Sequence, residues 1–313
     1  MKPFFIVGPT AVGKSELAAE IASRLGAEIV SADAFQIYHG LDLLSAKPKN
    51  AILAKVPHHL LGVVSLSEEM NVEKFRAAAV KAIGEIHARN KQVIVAGGSG
   101  LYVKALTDGL SRLPTADPTL RAELNALRLD ELLQKLGRID AATASRIDLK
   151  NRRRVTRAVE ICLLTGKPMS EQRKTGAVVH PLFAQDPSDR APRTTHGVFV
   201  SRDRAELYQR INQRVEMMFS RGVVEEVRGL RSIGSTGEKM LGLQQIRALL
   251  AGEISEEECI ATIQQSTRRY AKRQLTWFRR QHRFIALNLS SHSYPEAIES
   301  IAHAARLAFA STG

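Results

Sequence analysis

The stretch Gly8-Pro9-Thr10-Ala11-Val12-Gly13-Lys14-Ser15 decides the fold of this chain. It follows the apolar run 4–7 and precedes a helical pattern that begins at Glu16. A buried strand, a glycine-containing turn and a helix in this order direct backbone N–H groups and the positive helix end at one hollow. Lys14 can neutralise an outer phosphate there, and the Ser15 hydroxyl can bind a magnesium ion. The stretch predicts a phosphate-binding loop, but it leaves the identity of the diphosphate open.

Strand and helix patterns alternate after this loop, which predicts a parallel sheet. The predicted strands cover residues 27–30, 60–64, 91–96, 196–200 and 284–287. Only helical patterns occur from Thr119 to Thr165, and residues 174–195 form a link interrupted by Gly, Pro and Ser. We therefore expect an α/β fold, a P-loop NTPase-like parallel sheet with helices on both faces, plus an all-α insertion domain. The expected boundaries are 1–113 with 195–313 for the core and its C-terminal basic helix, and 114–194 for the insertion.

The composition is strongly basic. The 313 residues include 45 Lys+Arg and 32 Asp+Glu, which gives a formal net charge of +13 and favours a polyanionic partner. Cys162 and Cys259 lie in helical patterns without a CxxC pair, so we expect neither disulfides nor structural zinc. No apolar run approaches the roughly 20 residues needed to span a bilayer, and residues 4–7 are too short a run for a signal peptide. These features predict a cytoplasmic protein without a membrane partner, and nothing requires more than a monomer.

Two basic stretches predict contacts with nucleic acid. Between Cys259 and Arg283 there is no acidic residue, and a helix would place Arg269, Arg273 and Arg280 near one stripe with aromatic side chains interleaved. Cations suit phosphates and aromatic rings suit bases. The second cluster lies in the insertion and consists of Lys150, Arg152, Arg153, Arg154 and Arg157. Together they suggest a clamp around a folded RNA or a duplex.

Asp33 follows the second predicted strand, at the sheet edge that carries the phosphate-binding loop. Ligands bind at this edge in open α/β sheets, so this carboxylate could hold magnesium or act as a general base. Arg210 and Arg214 share one face of a later predicted helix. One of them could reach the diphosphate while the other pairs locally.

Several ordered motifs make the chain similar to the tRNA dimethylallyltransferases, also called tRNA isopentenyltransferases. The resemblance runs over nearly the whole length, and without a C-terminal zinc-finger extension of the eukaryotic kind it favours the bacterial form. The motifs are residues 8–15, Asp33-Ala34-Phe35-Gln36-Ile37-Tyr38 continuing to Ser45-Ala46-Lys47-Pro48, Val56-Pro57-His58-His59-Leu60, Gly97-Gly98-Ser99-Gly100-Leu101-Tyr102, Arg154-Val155-Thr156-Arg157-Ala158-Val159-Glu160, and Thr267-Arg268-Arg269-Tyr270-Ala271-Lys272-Arg273-Gln274-Leu275-Thr276-Trp277-Phe278-Arg279.

The resemblance implies transfer of a dimethylallyl group from dimethylallyl diphosphate to the exocyclic N6 amine of the adenosine that is 3′-adjacent to the tRNA anticodon. Residues 8–15 would hold the diphosphate, with Ser15 near Mg²⁺ as cofactor. Asp33 would take the proton from the amine. Thr10 would donate to the bridging oxygen of the leaving group, and Lys14 and Arg214 would hold its charge.

The resemblance also implies a set of tRNA contacts. These are Asp33, Ala34, Phe35, Gln36, Ser99, Arg121, Arg153, Arg154, Val155, Thr156, Arg157, Lys239, Met240, Leu241, Gly242, Leu243, Gln244, Lys272, Arg273, Gln274, Leu275, Thr276, Trp277, Phe278 and Arg279. Three positions depart from the family pattern: Ala34 replaces a serine, Asn151 an acidic residue and Leu243 a tyrosine. These departures concern local RNA contacts and leave the expected reaction unchanged.

Two other functions use the same residues. A small-molecule kinase or another P-loop NTPase would bind ATP through Lys14 and Ser15, with Asp33 as magnesium ligand. Against it, the strand 91–96 ends in glycines and offers no acidic metal ligand. A non-catalytic RNA-binding protein would be expected to have lost Lys14 or Asp33, and both are present.

Overall fold

The computed structural model describes residues 2–111, 113–175, 178–179, 197–281 and 284–310. They form two compact units. The core unit consists of Met1–Asp108 and Leu182–Gly313, and the helical unit consists of Gly109–Pro181.

The core unit is built on a six-stranded sheet with the order β3-β2-β4-β1-β7-β8. The strands of both units are, in chain order, β1 (Phe4–Val7), β2 (Glu28–Ser31), β3 (His58–His59), β4 (Val93–Gly97), β5 (Leu110–Ser111), β6 (Val178–Val179), β7 (Gly197–Ser201) and β8 (Ile285–Asn288). Every pairing in this sheet is parallel, which confirms the predicted fold class. Because β1 lies beside β4 and β4 beside β2, the carboxyl ends of these three strands are neighbours.

Helices connect the strands and build the helical unit. They are α1 (Lys14–Leu25), α2 (Asn50–Leu53), α3 (Val72–Ala88), α4 (Gly100–Thr107), α5 (Pro118–Ala126), α6 (Leu129–Ile139), α7 (Ala141–Ala144), α8 (Arg152–Thr165), α9 (Met169–Thr175), α10 (Arg204–Ser220), α11 (Val223–Arg228), α12 (Leu243–Leu250), α13 (Glu256–Arg279) and α14 (Tyr294–Ala310). Ser255 begins α13 with a capping box, in which its hydroxyl accepts from the N–H of Glu258 and that carboxylate accepts from the N–H of Ser255. None of the helices in the described part combines the length and apolar character needed to cross a membrane.

Strand β1 shows how the sheet is covered on both faces. Phe4 and Ile6 lie in one apolar cluster with α1 and α14, while Phe5 and Val7 lie in another with α3 and α4. Side chains of a strand point alternately to the two faces, so an unbroken apolar run is what a strand buried on both faces requires. In the helical unit, α5, α6, α8 and α9 contribute to a core of their own.

Two local predictions need correction. The strand expected at 60–64 is instead His58–His59, because Leu60 and Gly62 have φ values of 60° and 62°, which interrupt an extended chain. The helical unit contains a strand pair besides its helices, since β5 and β6 pair antiparallel; β6 lies within the insertion predicted at 114–194, and β5 lies just before it. Most of the link predicted at 174–195 lies outside the described residues.

Candidate active site

The loop between β1 and α1 is so tight that two of its positions require glycine. A Cβ on Gly8 would lie 2.3 Å from the carbonyl oxygen of Val200. Gly13 has a φ of 104°, which side chains rarely adopt. Lys14 Nζ donates to the carbonyl oxygen of Pro9 at 2.6 Å. Loss of water around Lys14 lowers its pKa to about 8. An anion bound in the loop would act in the opposite direction, because its negative charge stabilises the protonated form of Lys14.

Three arginines that follow β7 hold this loop from the side. The hydrogen bonds run from Arg214 Nη1 to Thr10 Oγ1 (3.1 Å), from Arg210 Nε to the Ala11 carbonyl oxygen (2.9 Å) and from Arg202 Nε to the Val12 carbonyl oxygen (3.0 Å). Burial lowers the pKa of Arg214, while the carboxylate of Asp33 acts in the opposite direction. From the sequence we expected one of Arg210 and Arg214 to reach the diphosphate while the other paired locally. In the structure both donate to the loop, and the contact of Arg202 was missed.

Asp33 lies two residues beyond the end of β2. Its Oδ1 accepts from the backbone N–H groups of Phe35 at 3.0 Å and Gln36 at 3.3 Å. These two bonds fix the orientation of the carboxylate. Both end on Oδ1, and no hydrogen bond to Oδ2 is found among the described residues. The Ser99 hydroxyl accepts from the N–H of Ala34 at 3.0 Å, which ties the segment after β2 to the turn after β4.

Several of these residues line a common cavity of about 360 Å³. Its charged and polar lining includes Lys14, Ser15, Asp33, Arg210, Arg214 and Gln274. Its apolar lining includes Leu43, Pro48, Ile52, Met217 and Met218. A cavity with fixed cations, the carboxylates of Glu16, Asp33 and Asp42, and an apolar portion suits a ligand that has an anionic head and a small hydrocarbon part.

The basic helix α13 has two distinct faces. Lys272, Arg273, Thr276 and Arg279 are exposed, whereas Gln274 and Phe278 are buried at 6% and 1% exposure. Trp277 packs on Gly100, where a Cβ would lie 2.6 Å from the indole ring. The predicted contact run 272–279 is therefore divided, because the buried side chains cannot meet an RNA in this structure.

Gln274 makes two contacts that the sequence did not reveal. Its Oε1 accepts from the N–H of Thr10 at 2.8 Å, and its Nε2 donates to the carbonyl oxygen of Gly98 at 2.8 Å. A signal was present in the sequence, since Ala271, Gln274 and Phe278 recur at the helical spacing of a buried stripe. A glutamine on such a stripe indicates a buried amide with specific partners.

The other predicted contact segments divide in the same way. In the helical unit, Arg153 and Arg154 are exposed while Val155 and Thr156 are buried. In the core unit, Lys239 and Gln244 are exposed, while Met240, Gly242 and Leu243 are buried. Leu243, the departure from the usual tyrosine, lies in an apolar cluster with α11 and α13.

Two further predicted contacts in the helical unit belong to an ion-pair network. Arg121 and Arg157 both donate to Oε2 of Glu160, whose side chain is fully buried. Arg157 also donates to the carbonyl oxygen of Pro114. The two arginine side chains remain partly exposed, at 40% for Arg121 and 31% for Arg157.

Comparison with known proteins gives a consistent result. The model of the family described as IPP transferase matches residues 36–281. A tRNA dimethylallyltransferase of Geobacter sulfurreducens is 42% identical over 287 residues, covering 89% of this chain and 89% of that protein. The crystal structure of a full-length tRNA isopentenylpyrophosphate transferase from Bacillus halodurans has a TM-score of 0.67 and 33% identity, and covers 96% of this chain and 94% of that one. A eukaryotic dimethylallyltransferase crystallised acting on tRNA shares the fold, with a TM-score of 0.74 at 24% identity, over 92% of this chain and 73% of that one.

Proposed function

The chain belongs to the IPP transferase family, and we propose that it transfers a dimethylallyl group from dimethylallyl diphosphate to the N6 amine of the adenosine 3′-adjacent to the anticodon of tRNA. The observation that carries this proposal is the Thr10 hydroxyl. Its oxygen accepts from Arg214, so its own hydrogen can be donated to another acceptor. In a cavity that also contains Lys14 and Asp33, the bridging oxygen of a diphosphate is a suitable acceptor.

The leaving group determines the demands on the loop. The bond between the allylic carbon and the bridging oxygen breaks with cationic character at carbon, and the electron pair remains on the diphosphate. Donors that are already oriented toward that developing charge are the main source of rate acceleration in such sites. The charges of Lys14, Arg210 and Arg214 and the positive N-terminus of α1 meet this demand.

Asp33 would act as the general base of the reaction. As N6 of the adenosine forms its bond to the allylic carbon, the amine becomes acidic and must lose a proton. The Asp33 carboxylate, fixed through Oδ1 by two backbone N–H groups, would accept that proton on Oδ2. A carboxylate of ordinary basicity is sufficient, because the proton leaves an alkylated, positively charged nitrogen.

A magnesium ion fits this donor set only together with the substrate. The described residues contain no group of three or more His, Cys, Asp or Glu side chains that could hold a metal ion. Mg²⁺ is commonly bound by few protein oxygens and by substrate phosphates, and the Ser15 hydroxyl lines the cavity where a diphosphate would lie. We propose that Ser15 holds the ion, which would supply positive charge to the diphosphate.

The exposed cations of α13 and α8 would bind the tRNA backbone, each by charge attraction to phosphates. The target adenine must leave its stack to reach a cavity in the protein. Consistent with the composition, we also propose that the enzyme acts in the cytoplasm as a monomer.

The test is transfer of label to RNA. Purified protein is incubated with magnesium, labelled dimethylallyl diphosphate and an unmodified tRNA, with labelled ATP in a parallel tube. The control tRNA carries guanosine in place of the adenosine 3′-adjacent to the anticodon. We expect label on the first tRNA alone and intact ATP. ATP turnover without prenyl transfer would replace the proposal by a kinase or NTPase function.

A matched pair of variants tests the base. Asp33 and Asp203 each lie two residues beyond a strand of the same sheet, but the Asp203 carboxylate accepts from Asn288. Asp33→Asn should lower the single-turnover rate about 10²- to 10⁴-fold with tRNA affinity unchanged, and Asp203→Asn should have little effect on it. Equal rates for the two variants would remove Asp33 as the base.

A further inference from the structure

Gln274 connects two loops of the candidate active site from the buried face of α13. Both ends of its amide are engaged, since Oε1 accepts from the N–H of Thr10 and Nε2 donates to the carbonyl oxygen of Gly98, both at 2.8 Å. A Cβ on Gly98 would lie 2.5 Å from Nε2, so this position must be glycine for the amide to fit. The contact joins the end of β1 to the end of β4.

Tyr270, one turn earlier on the same face, extends this connection. Its side chain lies close enough to those of Ser99 and Gln274 to interact with them, and burial raises its pKa, as does the charge of Asp33. Ser99 in turn accepts from the N–H of Ala34, next to Asp33. One turn of α13 therefore contacts the segments that carry Thr10 and Asp33.

On the basis of the proposed function, we propose that Gln274 is a positioning residue for prenyl transfer. It holds the peptide of Thr10 while Arg214 holds the hydroxyl of the same residue. The Thr10 side chain is thus fixed from two directions with its hydrogen free for the leaving group. In this proposal Gln274 does not contact tRNA, in contrast to the role that the resemblance implied for the whole run 272–279.

The first test separates rate from RNA affinity. Gln274→Met keeps the length of the side chain and removes both hydrogen bonds, while Gln265→Met is the matched control on the exposed part of the same helix. Misplacement of a catalytic group by about 1 Å can cost about 10²-fold in rate. We expect Gln274→Met to lower the single-turnover rate about 10- to 100-fold with tRNA affinity within about twofold of the control.

Either of two results would overturn the proposal. One is a single-turnover rate equal to that of Gln265→Met. The other is a loss of tRNA affinity as large as that caused by Arg273→Ala, which would make Gln274 an RNA contact. If Gln274→Met does not fold, Gln274→Asn is measured instead, because its amide is shorter by one methylene and cannot reach both partners.

A double-mutant cycle asks whether Gln274 acts through Thr10. Thr10→Val removes the hydroxyl and preserves the shape of the side chain. In that background Gln274→Met should lower the rate far less than in the wild type, because the group that it positions is absent. Fully additive losses would show that Gln274 acts by another route and would contradict the proposal.

A third measurement does not depend on prenyl transfer. Inorganic diphosphate is titrated into the same variants by calorimetry. Gln274→Met should bind it at least about fivefold more weakly than Gln265→Met, since the loop loses one of its fixed contacts. A wild-type protein that binds diphosphate but transfers no prenyl group would refute the proposed function. The diphosphate affinities of Gln274→Met and Gln265→Met would still decide whether Gln274 positions the loop. Equal diphosphate affinities would refute the positioning role.

Discussion

The core unit contains two sets of cationic side chains that differ in how they are held. Arg202, Arg210 and Arg214 donate hydrogen bonds to the loop at 10–12. On α13, by contrast, the cations at Arg269, Lys272, Arg273, Arg279 and Arg280 are exposed. The difference corresponds to two kinds of anion. Charge that develops on particular oxygens of a small leaving group needs fixed donors, whereas a polyanion is attracted by the density of charge.

The helical unit repeats this contrast within a few residues. Arg153 and Arg154 are exposed, but Arg121 and Arg157 share the buried carboxylate of Glu160. A buried anion shared by two partly exposed arginine side chains restricts the orientation of their guanidiniums. Fixed and free cations therefore occur in both units, and their removal should have different consequences.

The largest effect is expected from loss of a fixed donor at the loop. Arg214→Leu removes the hydrogen bond to Thr10 and one charge from the cavity, so the single-turnover rate of prenyl transfer should fall about 10²- to 10³-fold. The tRNA affinity should stay unchanged. Arg204→Leu is the control, since Arg204 lies on the same helix and packs over the ring of Tyr208. A rate for Arg214→Leu within threefold of that control would contradict the distinction between the two sets.

The buried carboxylate of the helical unit gives the next effect. Glu160→Gln leaves two guanidiniums without their counter-charge, and the free energy of unfolding of this unit should fall by about 1–3 kcal/mol. This range is below that of fully buried pairs because both arginines are partly exposed. Hydrogen exchange of α5 and α8 measures it, with Glu123→Gln on the exposed side of α5 as control. Unchanged protection in both variants would mean that the network does not stabilise the unit.

The sequence predicted the parts of the site that depend on local patterns. The run 8–15 lies between a buried strand and a helix, so its function as a turn follows from neighbouring residues alone. Asp33 was placed correctly at the sheet edge because parallel strands align their carboxyl ends.

The missed contacts are those between distant segments. Arg202 and Gln274 reach the loop across 190 and 264 positions of the chain. Helical spacing indicates which residues share a face, but not which other element that face meets. The resemblance implied RNA contacts along the whole run 272–279, although its helix carries a buried and an exposed face. A strand was wrongly predicted at 60–64, because the apolar pattern gave no sign of the left-handed conformation of Leu60.

The pH dependence of the reaction tests whether the charge of Lys14, which lines the same cavity as Arg210 and Arg214, is needed to bind the diphosphate. The pKa of Lys14 in the free protein is about 8, and only the protonated form can neutralise a phosphate. The kcat/KM for dimethylallyl diphosphate should therefore decline above pH 8, approaching about tenfold per pH unit. Bound diphosphate raises this pKa, so the decline in kcat should begin at a higher pH. Lys14→Arg should move the kcat/KM limb upward, and an unmoved limb would assign it to another group.

The smallest effect is expected on the exposed face of α13. Arg273 is exposed, with its guanidinium 5.6 Å from the centre of the Tyr270 ring, and it can contact a phosphate from there, so Arg273→Ala should weaken tRNA binding without changing the single-turnover rate at saturating tRNA. Each lost phosphate contact reduces the slope of log K against log salt by roughly 0.9, so the affinity gap to the wild type should narrow about 3.5-fold between 50 and 200 mM salt. The control is Arg306→Ala on α14, which makes the same change in net charge at a residue paired with Glu299. It should leave the slope of log K against log salt unchanged. Equal slopes for the two variants would mean that net charge, and not the face of α13, attracts the RNA. A reduced rate at saturating tRNA would place Arg273 among the fixed cations and remove the distinction between the two sets.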